Sequence, residues 1–499
     1  MFCLSLVTGT VLLAAYLLRR LYRKRCEQYA AFPQLPPSLL LGHLGAVDKY
    51  GRMLPPKAHV DMAFAAMHKA LGRPPVMLVD LRPVASPMLI VGSHDVAEQV
   101  SKASDRWPNG IPKTPAIWKQ LEHLTGPRSI ISAKGEEWKA LRKQFNPGFS
   151  TQNLMQQLPS IVEKVTLFVG HLDTLAETGQ EFALQDYTTN LTFDIIGRIC
   201  LNLDMGAQKS PTEFMRLFHS LIQTYAGEQL DLPWWCTPMV EWKRYSLRRQ
   251  VMDKLRAIVH ERHHQDGEGQ FSILSVSLAD IDNLTPDAVD TICDQLSSFL
   301  FAGHDTTSTL ISWIFYELSR NPHAMKALRS ELDALFGSDP SPSAVAEALL
   351  APGGKELIHR MSYASAVIKE TLRDGFTINV NGTTYCADGL MLYHVHSIIQ
   401  KDTSRWLHHA SDIPPGAWRA FERGPRNCIG QELATIEARV TIALVARRFH
   451  FSKVGRGSLI VGTDGNSEMG ENGQYKVESK LYMVTSKPLD GMLMKVKTV

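Results

Sequence analysis

The stretch of this sequence best equipped for chemistry is FERGPRNCIGQELA, residues 421–434. A single cysteine, Cys428, follows Gly-Pro-Arg-Asn and precedes Ile-Gly and a run with helical apolar spacing. A thiol at the mouth of a helix meets unpaired backbone N–H groups and, here, arginines just before it. Both favour thiolate over thiol. Gly424 and Gly430 let backbone approach closely on either side, and Pro425 stiffens the turn. Such an arrangement suits a thiolate held as a metal ligand and shielded from water. It also suits a nucleophile, given a histidine nearby, and a free cysteine is more commonly buried and inert. Local chemistry leaves the three readings open.

A second polar stretch, FAGHDTTST (301–309), interrupts an otherwise apolar segment. Gly303 removes a side chain. Asp305, Thr306 and Thr307 bring one carboxylate and two hydroxyls to positions where burial is costly unless they are paired. The plain structural reading is that the threonines hydrogen-bond the preceding turn of their own helix. The chemical reading is that acid and hydroxyl handle protons. His304 reads as packing or pocket lining rather than as a ligand.

These residues need elements to hold them. Thr285-Pro286-Asp287 is a helix start, with a capping hydroxyl, proline in the first turn and a carboxylate at the positive end. Asn321-Pro322 stops that helix and starts the next, so the polar stretch lies midway along roughly 50 Å of helix at 1.5 Å per residue. Nearly everything from about 136 to 335 has helical periodicity. Residues 85–95, ASPMLIVGSHD, read as a short strand and a turn leading to a helix. GSDPSPS (337–343) reads as a loop. Residues 374–400 carry β-branched and aromatic residues around Asn-Gly and Asp-Gly turns, and LYMVTS (481–486) again looks like strand. No internal repeat is present. The fold class is therefore mainly α with small β-sheets.

Composition sets the frame. The chain has 499 residues, 44% hydrophobic and 21% charged, with a formal net charge of +3, too small and dispersed to imply a nucleic-acid partner. Its 7 cysteines are scattered without a CxxC pair, which argues against a disulfide framework and against a tetrahedral zinc site. Residues 2–18 are uncharged and reach the lower limit for a bilayer-spanning helix. RRLYRKR follows at 19–25, and positive charges after the span hold that side in the cytosol. A signal peptide places its charges before the apolar run, so an uncleaved anchor is expected at 1–18. The sequons at Asn190, Asn283 and Asn381 would then face the wrong compartment for glycosylation. A basic, proline-rich hinge is expected at 19–45 and a single cytosol-facing body at 46–499.

F-E-R-G-P-R-N-C-I-G resembles the haem-binding loop of the cytochrome P450 family at every fixed position, and further parts of that family's pattern follow in order. Glu370-Thr371-Leu372-Arg373 resembles its E-x-x-R, and Arg405-Trp406 the element that supplies a third ion-pair partner. Ala302-Gly303-His304-Asp305-Thr306 resembles the oxygen-activating stretch of its long I helix. Trp138 and Arg142 resemble its C-helix residues at a haem propionate. The likeness spans residues 1–499 and implies haem b between the long helix and the cysteine loop, with Cys428 as the axial thiolate. On the same ground Gly430 would allow close packing, Ala302 would lie on the haem side, and Phe421 would shield the sulfur. Arg426, Arg142 and Trp138 would hold propionates. Glu370, Arg373 and Arg405 would form an ion-pair network positioning the loop. Asp305 and Thr306 would organise protons and water for dioxygen activation.

The likeness implies a monooxygenase acting on a small apolar substrate, with electrons from NADPH through a separate NADPH–cytochrome P450 reductase. TFDIIGRICLNLD, YASAVIKETLR and the tail SKPLDGMLMKV look most like membrane-anchored fungal members of secondary-metabolite clusters. Those acting on polyketide anthraquinones, such as versicolorin on the way to sterigmatocystin and aflatoxin-like toxins, are one such group. Alternatives in the same frame are a haem-binding protein without catalysis and a haem–thiolate isomerase or dehydratase. One departure stands out. Between Arg373 and Arg405 the chain is shorter than the family pattern by about two strands and their turn. Either the sheet there is remodelled, or the sequence carries an exon-boundary fault.

Overall fold

The computed structural model describes residues 2–54, 60–105, 108–109, 111, 121–225, 237–264, 271–279, 281, 283–372, 391–394, 419–462, 467–470, 474–476, 483–484, 487–488 and 490–499. The chain divides into two compact units. One joins Met1–Ile111 with Arg373–Asn427, and the other joins Pro112–Leu372 with Cys428–Val499.

In the first unit, Val76–Val79 and Met88–Val91 pair antiparallel with Val76 opposite Val91. Met391–His394 adds parallel to the second of these, Met88 opposite Met391. Both N-terminal strands are buried along their whole length, which is why they read as continuous apolar runs rather than alternating ones. Phe64 and Met67 of the helix Val60–Ala70 pack on Met77, Val79 and Ile90. Two residues past the strand, Ser93 caps the next helix, His94–Ser101, its hydroxyl accepting from the Asp95 amide at 3.2 Å. That is the strand, turn and helix expected over 85–95.

The N-terminal connector is bolted to this sheet. Arg25, one of the five cations after the apolar run, is 6% exposed and donates to Asp80 at 2.8 Å. Arg82 donates to the same carboxylate at 2.8 Å. His43 accepts from the Asp80 amide at 2.8 Å. Burial alone would raise the Asp80 carboxyl, but hydrogen bonds from Arg82 and Arg25 outweigh it and hold the pKa at about 2. The apolar helix itself runs Phe2–Tyr22, past the expected anchor and through Arg19 and Arg20. Among the described residues no helix is long and apolar enough to cross a membrane, so a span at 1–18 is not shown.

The second unit is a helical body around one apolar core. Its axis is the long helix Pro286–Arg320, which starts as the sequence signals: the Thr285 hydroxyl accepts from the Ala288 amide at 3.2 Å, and Asp287 lies in the first turn. It ends at Asn321, and Pro322–Phe336 follows directly. The helix Leu184–Leu201 packs along it through paired hydroxyls and amides. Gln185 donates to the Ser308 hydroxyl at 3.0 Å, Thr188 and Ser312 meet at 2.9 Å, and Thr192 donates to the His304 carbonyl at 2.8 Å. Two small sheets complete the unit: Phe182–Ala183 and Phe449–Lys453 flank Leu493–Thr498, and Met483–Val484 pairs with Lys487–Pro488. The mainly α, small-sheet class expected from the sequence is what forms. Of the strands expected within 374–400, all but 391–394 lies outside the described residues.

Candidate functional site

Helix resumes at Gln431–Val445, with Gly430 in the capping position. Cys428 stands exposed just ahead of it. Cys26 is intermediate in exposure, and two further described cysteines differ in kind. Cys200 and Cys293 are buried; desolvation pushes the Cys200 thiol far up and that of Cys293 to about 12. Those two are inert thiols, whereas Cys428 has the access a ligand or nucleophile needs. A Cβ on Gly430 would sit 4.0 Å from both the Cys428 sulfur and Phe149 Cε1. That is ordinary van der Waals distance, so a methyl group would just touch both.

The helix Gly135–Phe145 carries acids in its first turn and Arg142 and Lys143 in its last, matched to its dipole. Trp138, Leu141 and Phe145 form its buried face, and Arg142, one turn after Trp138, shares that side. Burial lowers the Arg142 pKa, and the charge of Cys428 works against that shift. Trp138, Arg142, Cys428 and Gly430 thus belong to one unit, with the guanidinium close enough to act on the sulfur. Phe299 of the long helix meets the rings of Phe145 and Phe149 edge-on at 5.3 and 5.1 Å, tying this region to the helix that carries the polar stretch.

Within that stretch the sequence reading divides. Gly303 is there because the neighbouring helix comes close: a Cβ would stand 2.7 Å from Ile196 Cδ1 and Cγ1. The Thr306 hydroxyl donates to the Ala302 carbonyl at 2.8 Å, the local back-bond that mid-helix threonines make. Thr306 is exposed and Thr307 buried. Asp305 accepts an ion pair from Lys487, a partner 182 residues away that sequence reading missed. His304 is packing, as expected. It is buried, its Nδ1 lies 2.7 Å from the Leu300 carbonyl, and its ring meets Phe193 edge-on at 5.0 Å. Desolvation takes its pKa down to about 4, so it is neutral near pH 7.

The approach to the cysteine, residues 419–427, lies in the first unit. Arg419 is 0% exposed and donates to Glu98 at 3.1 Å, to Glu422 at 2.8 Å and to the Ser101 hydroxyl. Arg423 donates to Glu98 at 3.1 Å. Gly424 has φ +81, and a Cβ there would fall 2.1 Å from the Ser101 carbonyl oxygen. Phe421 and Arg426 are half-buried in the same stretch. None of Glu98, Ser101, Arg419 or Arg423 was singled out from sequence, because nothing local links positions more than 300 residues apart. Of the expected network, Glu370 lies exposed near the end of the helix Ser362–Thr371, whose first turn is held by Glu331 accepting from the Tyr363 and Ala364 amides at 2.5 and 2.9 Å. Arg373 and Arg405 lie outside the described residues.

The family model for cytochrome P450 matches residues 33–382 and 402–461. The chain belongs to the cytochrome P450 family. It is 28% identical over 479 residues to the cytochrome P450 monooxygenase acrF of Aspergillus aculeatus, covering 84% of this chain and 93% of that one. It is likewise 28% identical to the cytochrome P450 monooxygenase polC of Polytolypa hystricis, covering 90% and 87%. A crystal structure titled cytochrome P450DA heme domain superposes with TM-score 0.70 at 17% identity, covering 94% of this chain and 97% of that one, a likeness of fold. The protein is a P450 monooxygenase, and its family uses haem with a cysteine thiolate ligand. The two matched parts leave 383–401 between them, inside the interval that reads as shortened.

Proposed function

We propose that Cys428 is the axial thiolate donor of a haem–thiolate monooxygenase that oxidises an apolar organic substrate. The observation that carries this reading is the exposed thiol ahead of the helix Gln431–Val445, within reach of the Arg142 charge, in a chain whose Cys200 and Cys293 are buried. When bound, haem supplies an iron centre for dioxygen chemistry, and a thiolate donor adds electron density to that iron. The protein's part is positional. Gly430 would allow close packing beside the haem. Within the second unit, Trp138 and Arg142 would hold a propionate, where a planar fork of donors suits a carboxylate, and Ala302 would line the haem side; the family resemblance gives a further propionate contact to Arg426 and the shielding of the sulfur to Phe421. The Thr306 hydroxyl and the Asp305 carboxylate hold and move protons, Asp305 after release by Lys487.

The same reading extends to partners. Electrons come from NADPH through a separate NADPH–cytochrome P450 reductase. The substrate is a fungal polyketide-derived metabolite of the anthraquinone type. Haem domain, hinge and anchor follow the boundaries read from sequence, with the protein held at the endoplasmic reticulum membrane. Val7, Val11, Leu12, Leu13 and Leu17 of the N-terminal helix, each more than half exposed, support a lipid contact. The test is incubation of the purified protein with the reductase, NADPH, isotopically labelled dioxygen and an anthraquinone panel. One labelled oxygen atom in product is expected. Haem-loaded protein with no reductase-driven oxygen uptake would instead favour a haem protein without catalysis. Product formed without dioxygen would favour an isomerase or dehydratase.

A further inference from the structure

We infer that Arg419 and Glu98 form the device that holds the cysteine-ligand loop in shape, a positioning role that resemblance alone gives to Glu370, Arg373 and Arg405. The inference rests on the haem–thiolate reading above. Arg419 is wholly buried, and three acceptors converge on it: Glu98 at 3.1 Å, Glu422 at 2.8 Å and the Ser101 hydroxyl. Arg423 completes a set of two cations and two carboxylates through Glu98 at 3.1 Å. A buried cation is tolerated only when so paired. Two of these partners, Glu98 and Ser101, lie on the last turn and a half of the helix His94–Ser101, which Ser93 caps two residues past the strand Met88–Val91.

Backbone geometry points the same way. Glu422 has φ +55, a left-handed conformation that a non-glycine residue keeps only when its surroundings enforce it. Here its carboxylate is held by Arg419. Two residues on, Gly424 lies so close to the end of the helix that a Cβ would meet the Ser101 carbonyl at 2.1 Å. The Asn427 amide then donates to the Gly424 carbonyl at 3.2 Å, closing the turn. Cys428 is the next residue. The path of the chain into the ligand is thus set by side chains from residues 98 and 101.

The test uses the full chain as wild type and as Glu98→Gln, Arg419→Gln and Arg419→Lys. Two quantities are read: the ratio of long- to short-wavelength bands in the reduced carbon monoxide difference spectrum, and backbone hydrogen exchange over 419–427. Glu98→Gln keeps the volume and stands in where Arg419→Gln does not fold. Expected is a fall of at least about tenfold in the band ratio for both glutamine variants, the scale of a lost charged hydrogen bond. Faster exchange should be confined to 419–427, and Arg419→Lys, which keeps the charge without the fork, should fall between. Wild-type ratios and exchange in Glu98→Gln and Arg419→Lys overturn the inference, as does exchange that rises evenly along the chain. A wild type without a long-wavelength band overturns the haem–thiolate reading instead, and the exchange over 419–427 still decides whether Arg419 and Glu98 hold the loop.

Discussion

Replacing Asp80 by asparagine removes the acid on which Arg25 and Arg82 converge, and the cost can be worked from the structure. The folded carboxyl titrates at about 2 against an ordinary 3.8. At 1.36 kcal/mol per pKa unit that difference is worth about 2 kcal/mol of stability. That is the floor, because Asp80→Asn also strands Arg25, whose side chain is 4% exposed, and breaking a buried pair by removing one partner costs about 3–5 kcal/mol in all. A loss of about 3–5 kcal/mol at neutral pH follows. The sign is fixed by the direction of the shift: the folded pKa lies below the unfolded one, so the contribution is complete above about pH 4 and disappears as pH falls through about 2. The assay is denaturant unfolding of wild type, Asp80→Asn, Arg25→Met and the double variant, with limited proteolysis of the connector 19–45. The double variant should lose less than the sum of the singles, and Asp80→Asn should expose the connector to cleavage. A variant within about 0.5 kcal/mol of wild type, with the connector still protected, would refute the reasoning.

Three further outcomes are expected. Gly303→Val should destabilise the helix pair by about 1–3 kcal/mol in thermal unfolding, the usual cost of overpacking, and Ile196→Ala in the same chain should recover part of it, since Ile196 is what the new side chain strikes. Burial holds His304 at about 4 against an ordinary 6.5. Its neutral form therefore stabilises the fold fully above about pH 6.5, and the contribution is lost as pH falls towards 4. His304→Leu should accordingly remove about 2 kcal/mol of the stability difference between pH 8 and pH 5 measured by urea unfolding. Sequencing the transcript tests the interval between Arg373 and Arg405: additional codons within it are expected, and a faithful match leaves a remodelled sheet.

What could be read in advance was what local chemistry writes down. The long helix begins where Thr285, Pro286 and Asp287 say it should and stops at Asn321, because capping involves residues within one turn. His304 as packing was legible from its place in an apolar run. The mixed reading of 301–309 also has a local cause: Thr306 makes the back-bond that any mid-helix threonine can make. What could not be read were pairings set by tertiary approach. Arg25, read only as one charge of a basic run, is buried on Asp80, Lys487 reaches Asp305, and Arg419 reaches Glu98 across 321 residues. Gly303 illustrates the boundary. Its missing side chain was visible, but the reason for it, Ile196 of a neighbouring helix, was not.

The central claim is that Cys428 ligates haem iron as a thiolate. It is tested most directly by the carbon monoxide difference spectrum of the reduced protein, expressed in microsomes from this sequence, beside Cys428→Ser. A long-wavelength Soret band is expected in the wild type and should be absent from the serine variant. A wild type with no haem signal, or with only the short-wavelength form, would contradict it, as would a serine variant that keeps the band.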